Sequence, residues 1–258
     1  MAAARPKLRI LCLGDSLTAG YSAMGAIHHP YTAKLEQMVA MAFPHLDIEA
    51  VEDGVSGASV MSAFLGRMQN QFGPRNPIRS EDGKYYDWAI VLGGTNDVGM
   101  GFPPEEVFEK LKIIWNIPLQ NGCKVLALTV PEAALSGPVR ERVDARRNKL
   151  NDLIRGYKRN GFHVFDLNRA VTYYSMSDAD KERYWDDNLH FTPDGYDLIG
   201  NKVGIALVSI MAREKTNELS PAKRRRMFKD DNTLFEEEAG DPKAIDQGYI
   251  VVRRADLD

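Results

Sequence analysis

A chain of 258 residues, 44% of them hydrophobic and 27% charged, can bury one large core or two small ones. Its formal net charge of −3 gives no reason to expect nucleic acid or an anionic membrane as a partner. No apolar run approaches the roughly 20 residues of a membrane-spanning helix, and the first residues lack the hydrophobic region of a secretory signal. We therefore expect a cytoplasmic protein, unless a leader has been trimmed from the chain.

Short apolar runs alternate along the chain with segments of helical spacing. The runs are short and continuous, as in strands buried on both faces, and they lie at residues 8–13, 46–51, 87–93, 123–130 and 162–166. Helical spacing is found at residues 30–43, 58–72, 104–121, 138–160 and 193–213, with no helix expected between the first strand and Pro30. This alternation predicts one parallel, doubly wound sheet. We expect a flavodoxin-like three-layer α/β/α sandwich with five strands.

The chain changes character after about residue 213. Residues 214–258 contain a basic quartet, Lys223–Arg226, an acidic triplet, Glu236–Glu238, and a short apolar patch, Tyr249–Val252. We predict one folded domain over residues 1–213 and a charged extension over residues 214–258. The extension is expected to be partly disordered or docked as an edge strand. The basic quartet fits either a solvated helix end or a nuclear localisation signal.

The sequence indicates neither a disulfide framework nor a metal site. Cys12 and Cys123 both lie in apolar runs, which predicts two buried thiols. His28 and His29 are adjacent, but no carboxylate or cysteine at ligand spacing accompanies them, which favours a surface loop. We expect no metal and no organic cofactor.

Polar segments follow the predicted strands at four places. Ser16 follows the first strand, Gly54–Gly57 the second and Gly93–Asp97 the third, and Asp187–His190 comes after the fifth. The carboxyl ends of parallel strands meet at one edge of the sheet, where ligands bind. We therefore expect these four segments to form one site.

A serine, a histidine and a carboxylate at that edge can carry out nucleophilic catalysis. The imidazole of His190 can remove the proton of the Ser16 hydroxyl near neutral pH. Asp187, three residues earlier, can then bind the other ring nitrogen. Asp186 could take this role instead, although the three-residue spacing favours Asp187. Ser16 alone would also fit an ordinary turn serine.

The same edge offers hydrogen-bond donors for an oxyanion. The backbone N–H groups of Ser16 and Gly57 and the side-chain amide of Asn96 could provide three donors. Asn96 could instead cap the helix that follows it. Asp15 and Asp97 flank these residues and are expected to accept hydrogen bonds that hold the loops.

These segments resemble the signature blocks of the SGNH hydrolases, also called the GDSL family of esterases and lipases. The resemblance covers about residues 8–213 and rests on four blocks: Gly14-Asp15-Ser16-Leu17, Gly54-Val55-Ser56-Gly57, Gly94-Thr95-Asn96-Asp97 and Asp187-Asn188-Leu189-His190. It implies that Ser16 is the nucleophile, that Gly57 and Asn96 complete the oxyanion hole, and that His190 and Asp187 complete the triad. The second block departs from the family pattern, because Glu52 stands where an asparagine is common.

The residues and the resemblance together predict a serine esterase that hydrolyses small carboxylic esters with short acyl chains. Ser16 would attack the ester carbonyl, and water would release the acyl-enzyme. A lysophospholipase, a thioesterase or a deacetylase of a sugar or metabolite could use the same site, and Met24 and Met100 could line an acyl pocket. A binding module without chemistry fits less well, because binding does not require a base directed at a serine.

Overall fold

A parallel sheet of five strands lies at the centre of the computed structural model, which describes residues 5–74, 76 and 83–218. The sheet strands are β1 (Lys7–Gly14), β4 (Asp47–Gly54), β5 (Trp88–Leu92), β6 (Lys124–Leu128) and β7 (Phe162–Phe165). Their order across the sheet is β4-β1-β5-β6-β7, and every neighbouring pair is parallel. This is the flavodoxin-like order, so the predicted fold class is confirmed. Two short strands, β2 (Tyr21–Ser22) and β3 (Ile27–His28), form a separate antiparallel hairpin.

Nine α-helices lie within the described part of the chain. They are α1 (Ser16–Ala19), α2 (Thr32–Ala42), α3 (Leu65–Gln71), α4 (Thr95–Met100), α5 (Pro104–Gln120), α6 (Gly137–Gly156), α7 (Leu167–Ala170), α8 (Asp178–Tyr184) and α9 (Pro193–Glu218). A π-helical stretch, Val60–Phe64, leads directly into α3. None of these helices is both long enough and apolar enough to cross a membrane.

Four short helices, α1, α4, α7 and α8, and the β2–β3 hairpin lie outside the predicted elements, and α9 ends later than predicted. Helix α1 follows β1 directly, whereas the sequence predicts no helix before Pro30. This helix has a single turn, too short for a periodic pattern, and Asp15 caps it by accepting the N–H of Leu17. Helix α9 continues past the predicted end at residue 213, because Glu214 and Lys215 are good helix formers.

The two faces of the sheet are covered by different helices, as right-handed crossover connections require. Helices α3, α5 and α6 cover one face, where alternate residues of β1, β5 and β6 share a core with Phe64, Trp115 and Leu150. Helices α2 and α9 cover the other face and pack closely on each other. Gly200 of α9 allows this approach, because a Cβ there would lie 2.5 Å from the backbone oxygen of Tyr31.

The chain divides into two compact units, residues 1–209 and residues 210–258. The sheet and the candidate site belong to the first unit. Most of the second lies outside the described residues, including the basic quartet Lys223–Arg226 and the apolar patch Tyr249–Val252. The interpretations of these segments, and the boundary at residue 213, stay predictions.

The close packing of α9 on α2 can be tested with two glycine substitutions. Gly200→Ala should lower the free energy of unfolding by about 2 kcal/mol, because the added methyl group forces the two helices apart. Gly66→Ala in α3 is the matched control, since a Cβ at position 66 meets no atom within 4 Å. The control should gain up to about 1 kcal/mol from its better helix propensity. Urea unfolding followed by circular dichroism measures both changes, and equal stability of the two variants would contradict the packing.

Candidate active site

Ser16 follows the carboxyl end of β1, at the start of the one-turn helix α1. Ser16 is buried, with 5% of its surface exposed. Gly14 allows the chain to turn here, because a Cβ at this position would lie 1.9 Å from the Oγ1 of Thr18. The helix ends at Gly20, whose φ of 71° is in the left-handed region that favours glycine. The turn therefore holds Ser16 at the edge of the sheet.

The structure brings Ser16, His190 and Asp187 into one hydrogen-bonded chain. The Nε2 atom of His190 lies 3.0 Å from the Oγ of Ser16, and its Nδ1 lies 2.8 Å from the Oδ2 of Asp187. The other carboxylate oxygen of Asp187 accepts the backbone N–H groups of Leu189 and His190, each at 2.6 Å. One carboxylate thus orients both the imidazole ring and the loop that carries it.

The environment of Asp187 keeps its carboxyl group ionised. Partial burial opposes ionisation, but the hydrogen bonds from the backbone and ring of His190 and from Leu189 outweigh it, so the pKa of Asp187 is lowered. The neighbouring Asp186 makes a different contact, since its Oδ2 accepts the N–H of Ala23 at 2.8 Å. Of the two carboxylates that the sequence left open, Asp187 is the one beside the imidazole.

The β2–β3 hairpin supports the imidazole from the side, a contact that the sequence analysis missed. The ring of Tyr21 packs on the ring of His190 with 4.6 Å between centroids. Tyr196 of α9 donates its hydroxyl to the backbone oxygen of Tyr21 at 2.8 Å. At the tip of the hairpin, Ala23 and Met24 have φ values of 49° and 54°. No local sequence pattern marks these contacts, because Tyr21 and His190 are far apart in the sequence.

Asn96 lies in the first turn of α4, and Gly57 lies in the loop after β4. The side-chain amide of Asn96 donates one hydrogen bond to the backbone oxygen of Ala58 at 2.9 Å, which leaves its second N–H for a ligand. The helix-cap alternative is not observed, since Gly94 occupies the N-cap position of α4. Gly57 has a φ of 77°, while a Cβ there would meet no atom within 4 Å. Backbone conformation, rather than crowding by protein atoms, is therefore what favours glycine at this position.

Asp97 joins the third of the predicted segments to the π-helical stretch that begins at Val60, shortly after the second segment. Its fully buried carboxylate accepts the backbone N–H groups of Val60 and Met61 at 2.9 and 3.0 Å. Glu52, the departure from the family pattern, accepts the N–H of Gly54 with its Oε1. Burial raises the pKa of Glu52. A glutamate thus provides a hydrogen bond to the loop at the position where the sequence comparison leads us to expect an asparagine.

Asp15 is a buried carboxyl group directly under the site. Its burial raises the pKa to about 6, and the hydrogen bond from the backbone N–H of Leu17 offsets only part of this effect. Like Asp97, it holds loop backbone, as the sequence analysis expected. The carboxyl group of Asp15 therefore gains and loses its proton at a pH not far below neutral.

The remaining candidate residues lie away from the triad. His29 binds Asp197 with 2.8 Å between Nε2 and Oδ1, and Cys12 and Cys123 are free, buried thiols. Within residues 5–74, 76 and 83–218, no group of three or more histidine, cysteine or acidic side chains is arranged to hold a metal ion. Met100 lines a cavity beside Asn96, whereas Met24 is 95% exposed.

Comparisons with known proteins show the family of the chain and the fold that it shares with solved structures. The model of the GDSL-like lipase/acylhydrolase family matches residues 12–198. A lipase/acylhydrolase from Enterococcus faecalis has a similar structure, with a TM-score of 0.57 and 21% identity over 78% of this chain and 96% of that one. The acetyl xylan esterase AlAXEase has a TM-score of 0.58 and is 19% identical, over 77% of this chain and 99% of that one. An acetylxylan esterase from Geobacillus stearothermophilus has a TM-score of 0.54 and is 17% identical, over 76% of this chain and 92% of that one. A search of curated proteins gave no significant match.

The buried carboxyl group of Asp15 should make folding stability depend on pH. Its pKa is about 6 in the folded protein and 3.8 as an ordinary aspartate, so the folded state holds the proton more tightly than the unfolded state. The protonated carboxyl group therefore stabilises the folded state. This stabilisation is fully present below the ordinary pKa of 3.8 and is lost as the pH rises through about 6. The loss is on the order of 3 kcal/mol.

Asp15→Asn removes this titration while keeping a side-chain oxygen that can accept the N–H of Leu17. The stability of the variant relative to the wild type should therefore increase between about pH 4 and about pH 7. Urea unfolding across this range measures the difference. A constant difference would show that Asp15 does not titrate as its burial implies.

Proposed function

The chain belongs to the GDSL-like lipase/acylhydrolase family, and on this premise we propose that it hydrolyses carboxylic esters through an acyl-enzyme formed on Ser16. The observation that carries the proposal is the hydrogen-bonded chain from the Oγ of Ser16 through both ring nitrogens of His190 to Asp187. A serine hydroxyl becomes a useful nucleophile when an adjacent base accepts its proton. His190 is placed to act as that base, and Asp187 is placed to orient it.

The geometry supports a two-step reaction. In the first step, Nε2 of His190 takes the proton of Ser16 while Oγ attacks the carbonyl carbon of the ester. The protonated imidazole then gives this proton to the leaving alcohol oxygen. In the second step, Nε2 of His190 takes a proton from a water molecule while the water oxygen attacks the acyl carbon, and the imidazolium then gives this proton to Oγ of Ser16 as the acyl–Oγ bond breaks and the acid leaves. Asp187 holds the ring in the tautomer that leaves Nε2 free to accept a proton, and it stabilises the imidazolium that forms.

The negative charge of the tetrahedral intermediate requires donors near Ser16. The backbone N–H groups of Ser16 and Gly57 and the free N–H of the Asn96 amide are the proposed donors. Asn96 is held by Ala58 and does not have to reorganise during the reaction. A single such donor is worth about 10²–10³-fold in kcat. The mechanism uses protein groups and water alone and requires no metal or organic cofactor.

One observation bears on the class of ester. The similar structures include acetylxylan esterases, which favours deacetylation of a sugar as a second candidate. Lysophospholipase and thioesterase chemistry would use the same three residues. A role in binding alone is disfavoured, because it gives no reason for an imidazole nitrogen to lie 3.0 Å from the Ser16 hydroxyl.

Ser16→Ala should abolish hydrolysis of p-nitrophenyl acetate. The substitution removes the nucleophile but leaves the chain folded, because losing one oxygen at the edge of the sheet opens no core cavity. A serine-directed organophosphorus reagent should label the wild type at Ser16, as peptide mass spectrometry can show. Labelling at another serine, together with an active Ser16→Ala variant, would refute the assignment.

Asp187→Asn should lower kcat/KM by about 10²–10⁴-fold, because an amide at this position permits the wrong imidazole tautomer. Asp186→Asn is the matched control, since it changes the adjacent carboxylate, which contacts Ala23 instead of the ring. The control should retain most of the activity. Steady-state kinetics on p-nitrophenyl acetate compares the two variants, and the reverse order of damage would move the triad acid to Asp186.

A further inference from the structure

A cavity of about 330 Å³ lies beside Asn96. Its walls come from α4, from the loop after β6, from α6 and from the loop that carries His190. We propose that this cavity binds the acyl chain of the substrate and that it selects apolar acyl groups of medium length. The inference rests on the proposed function and specifies the substrate class of the same site.

The chemistry of the walls favours a hydrocarbon chain. Aliphatic side chains and Met100 make up most of the lining, which includes Val98, Val130, Leu135, Val143 and Leu189. Among the described lining residues the one charged side chain is Arg147, which is 4% exposed. Its guanidinium donates to Asp144 at 2.6 Å and to Asn148 at 3.1 Å. The cavity therefore offers a sugar few polar partners and offers a hydrocarbon chain an apolar surface.

The position of the cavity favours the acyl side of the ester over the alcohol side. Asn96 lines the cavity and is also a proposed donor to the carbonyl oxygen. The acyl chain extends from the same carbon that carries this oxygen, so it begins next to Asn96. The leaving alcohol must lie near Nε2 of His190 to receive its proton. Helix α4, which carries Asn96, also contributes Val98 and Met100 to the cavity wall.

The volume of the cavity favours an acyl chain longer than acetyl. A methylene group takes up about as much space as a water molecule, roughly 30 Å³ in the liquid. A cavity of about 330 Å³ is therefore much larger than an acetyl group requires. Allowing for imperfect filling, it suits an acyl chain of about six to ten carbons. This is longer than the short acyl chains that the sequence predicts.

The wall formed by the loop after β6 is held in place before any substrate binds. The hydroxyl of Tyr174 lies 2.8 Å from the backbone oxygens of Ala133 and Leu135 and accepts the N–H of Leu135 at 3.0 Å. Ala134 donates its N–H to the backbone oxygen of Asn188 at 2.7 Å. The wall of the cavity is thus joined to the loop that carries the imidazole, and a bound acyl chain would be fixed relative to the triad.

Gly99 provides the most direct test. It lines the cavity, its backbone is helical, and a Cβ there would meet no atom within 4 Å. Gly99→Phe should therefore fold and place a ring in the space that the acyl chain needs. Gly156→Phe is the matched control, because position 156 is also an open helical glycine but does not line the cavity.

The measurement is the ratio of kcat/KM for p-nitrophenyl octanoate to that for p-nitrophenyl acetate. In the wild type, each buried methylene should raise kcat/KM by up to about fourfold, so the ratio should exceed about ten. Gly99→Phe should lower this ratio by about tenfold or more, and Gly156→Phe should leave it unchanged. Hydrolysis that depends on Ser16, with the same ratio in both variants, would overturn the inference and leave the proposed function intact.

Two further measurements separate the remaining outcomes. Octanoate binding to Ser16→Ala, measured by calorimetry, does not require turnover and should be weakened when Gly99→Phe is added. Unchanged octanoate binding would overturn the inference whether or not the protein is an esterase. A series of acetate esters with lengthening alcohols should show no dependence on Gly99→Phe. Such a dependence would assign the cavity to the alcohol and refute the acyl assignment.

Discussion

The parallel pairing of β1 with β4 on one side and β5 on the other is the constraint on which the site depends. Gly14 is in register with both Gly54 and Leu92, so three neighbouring strands reach the same edge of the sheet at the same level. Ser16, Gly57 and Asn96 follow these strand ends within a few residues. Because a Cβ on Gly54 would lie 2.2 Å from the backbone nitrogen of Ala19, the turn after β1 can pack directly on the next strand. The sheet thus fixes the spacing of the nucleophile and the proposed oxyanion donors.

Polar contacts between loops complete the arrangement that the sheet begins. Asp97 joins the third segment to the start of the π-helical stretch at Val60, and Asp187 folds its own loop around the imidazole. Asp186 binds the β2–β3 hairpin, whose Tyr21 packs on His190. Each contact joins segments that are distant in sequence or lie in different loops. Their common effect is to hold the loops at this edge before a substrate arrives.

The sequence predicted the strands, the sheet and the residues of the candidate triad because each of these leaves a local pattern. Buried strands appear as apolar runs, and Asp187 and His190 occur together within four residues. Helix α1 left no such pattern, because one turn is too short to show a period. The contact of Tyr21 with His190 and the cavity beside Asn96 also left none, because they form only when distant segments meet. Glu52 shows a third case, since its departure from the family pattern was visible but the hydrogen bond that it makes was not.

The hairpin beside the imidazole has a consequence for how this protein can be made more robust. Ala23 and Met24 hold left-handed backbone conformations that cost non-glycine residues about 1–2 kcal/mol each. Glycine at these positions would relieve the strain but would also give the unfolded chain more freedom and loosen the turn that presents Tyr21. Substitutions meant to raise the melting temperature of this protein are therefore better placed on the outer helices than at this turn. At this turn, relief of backbone strain would be offset by a loss of the rigidity that keeps the imidazole aligned.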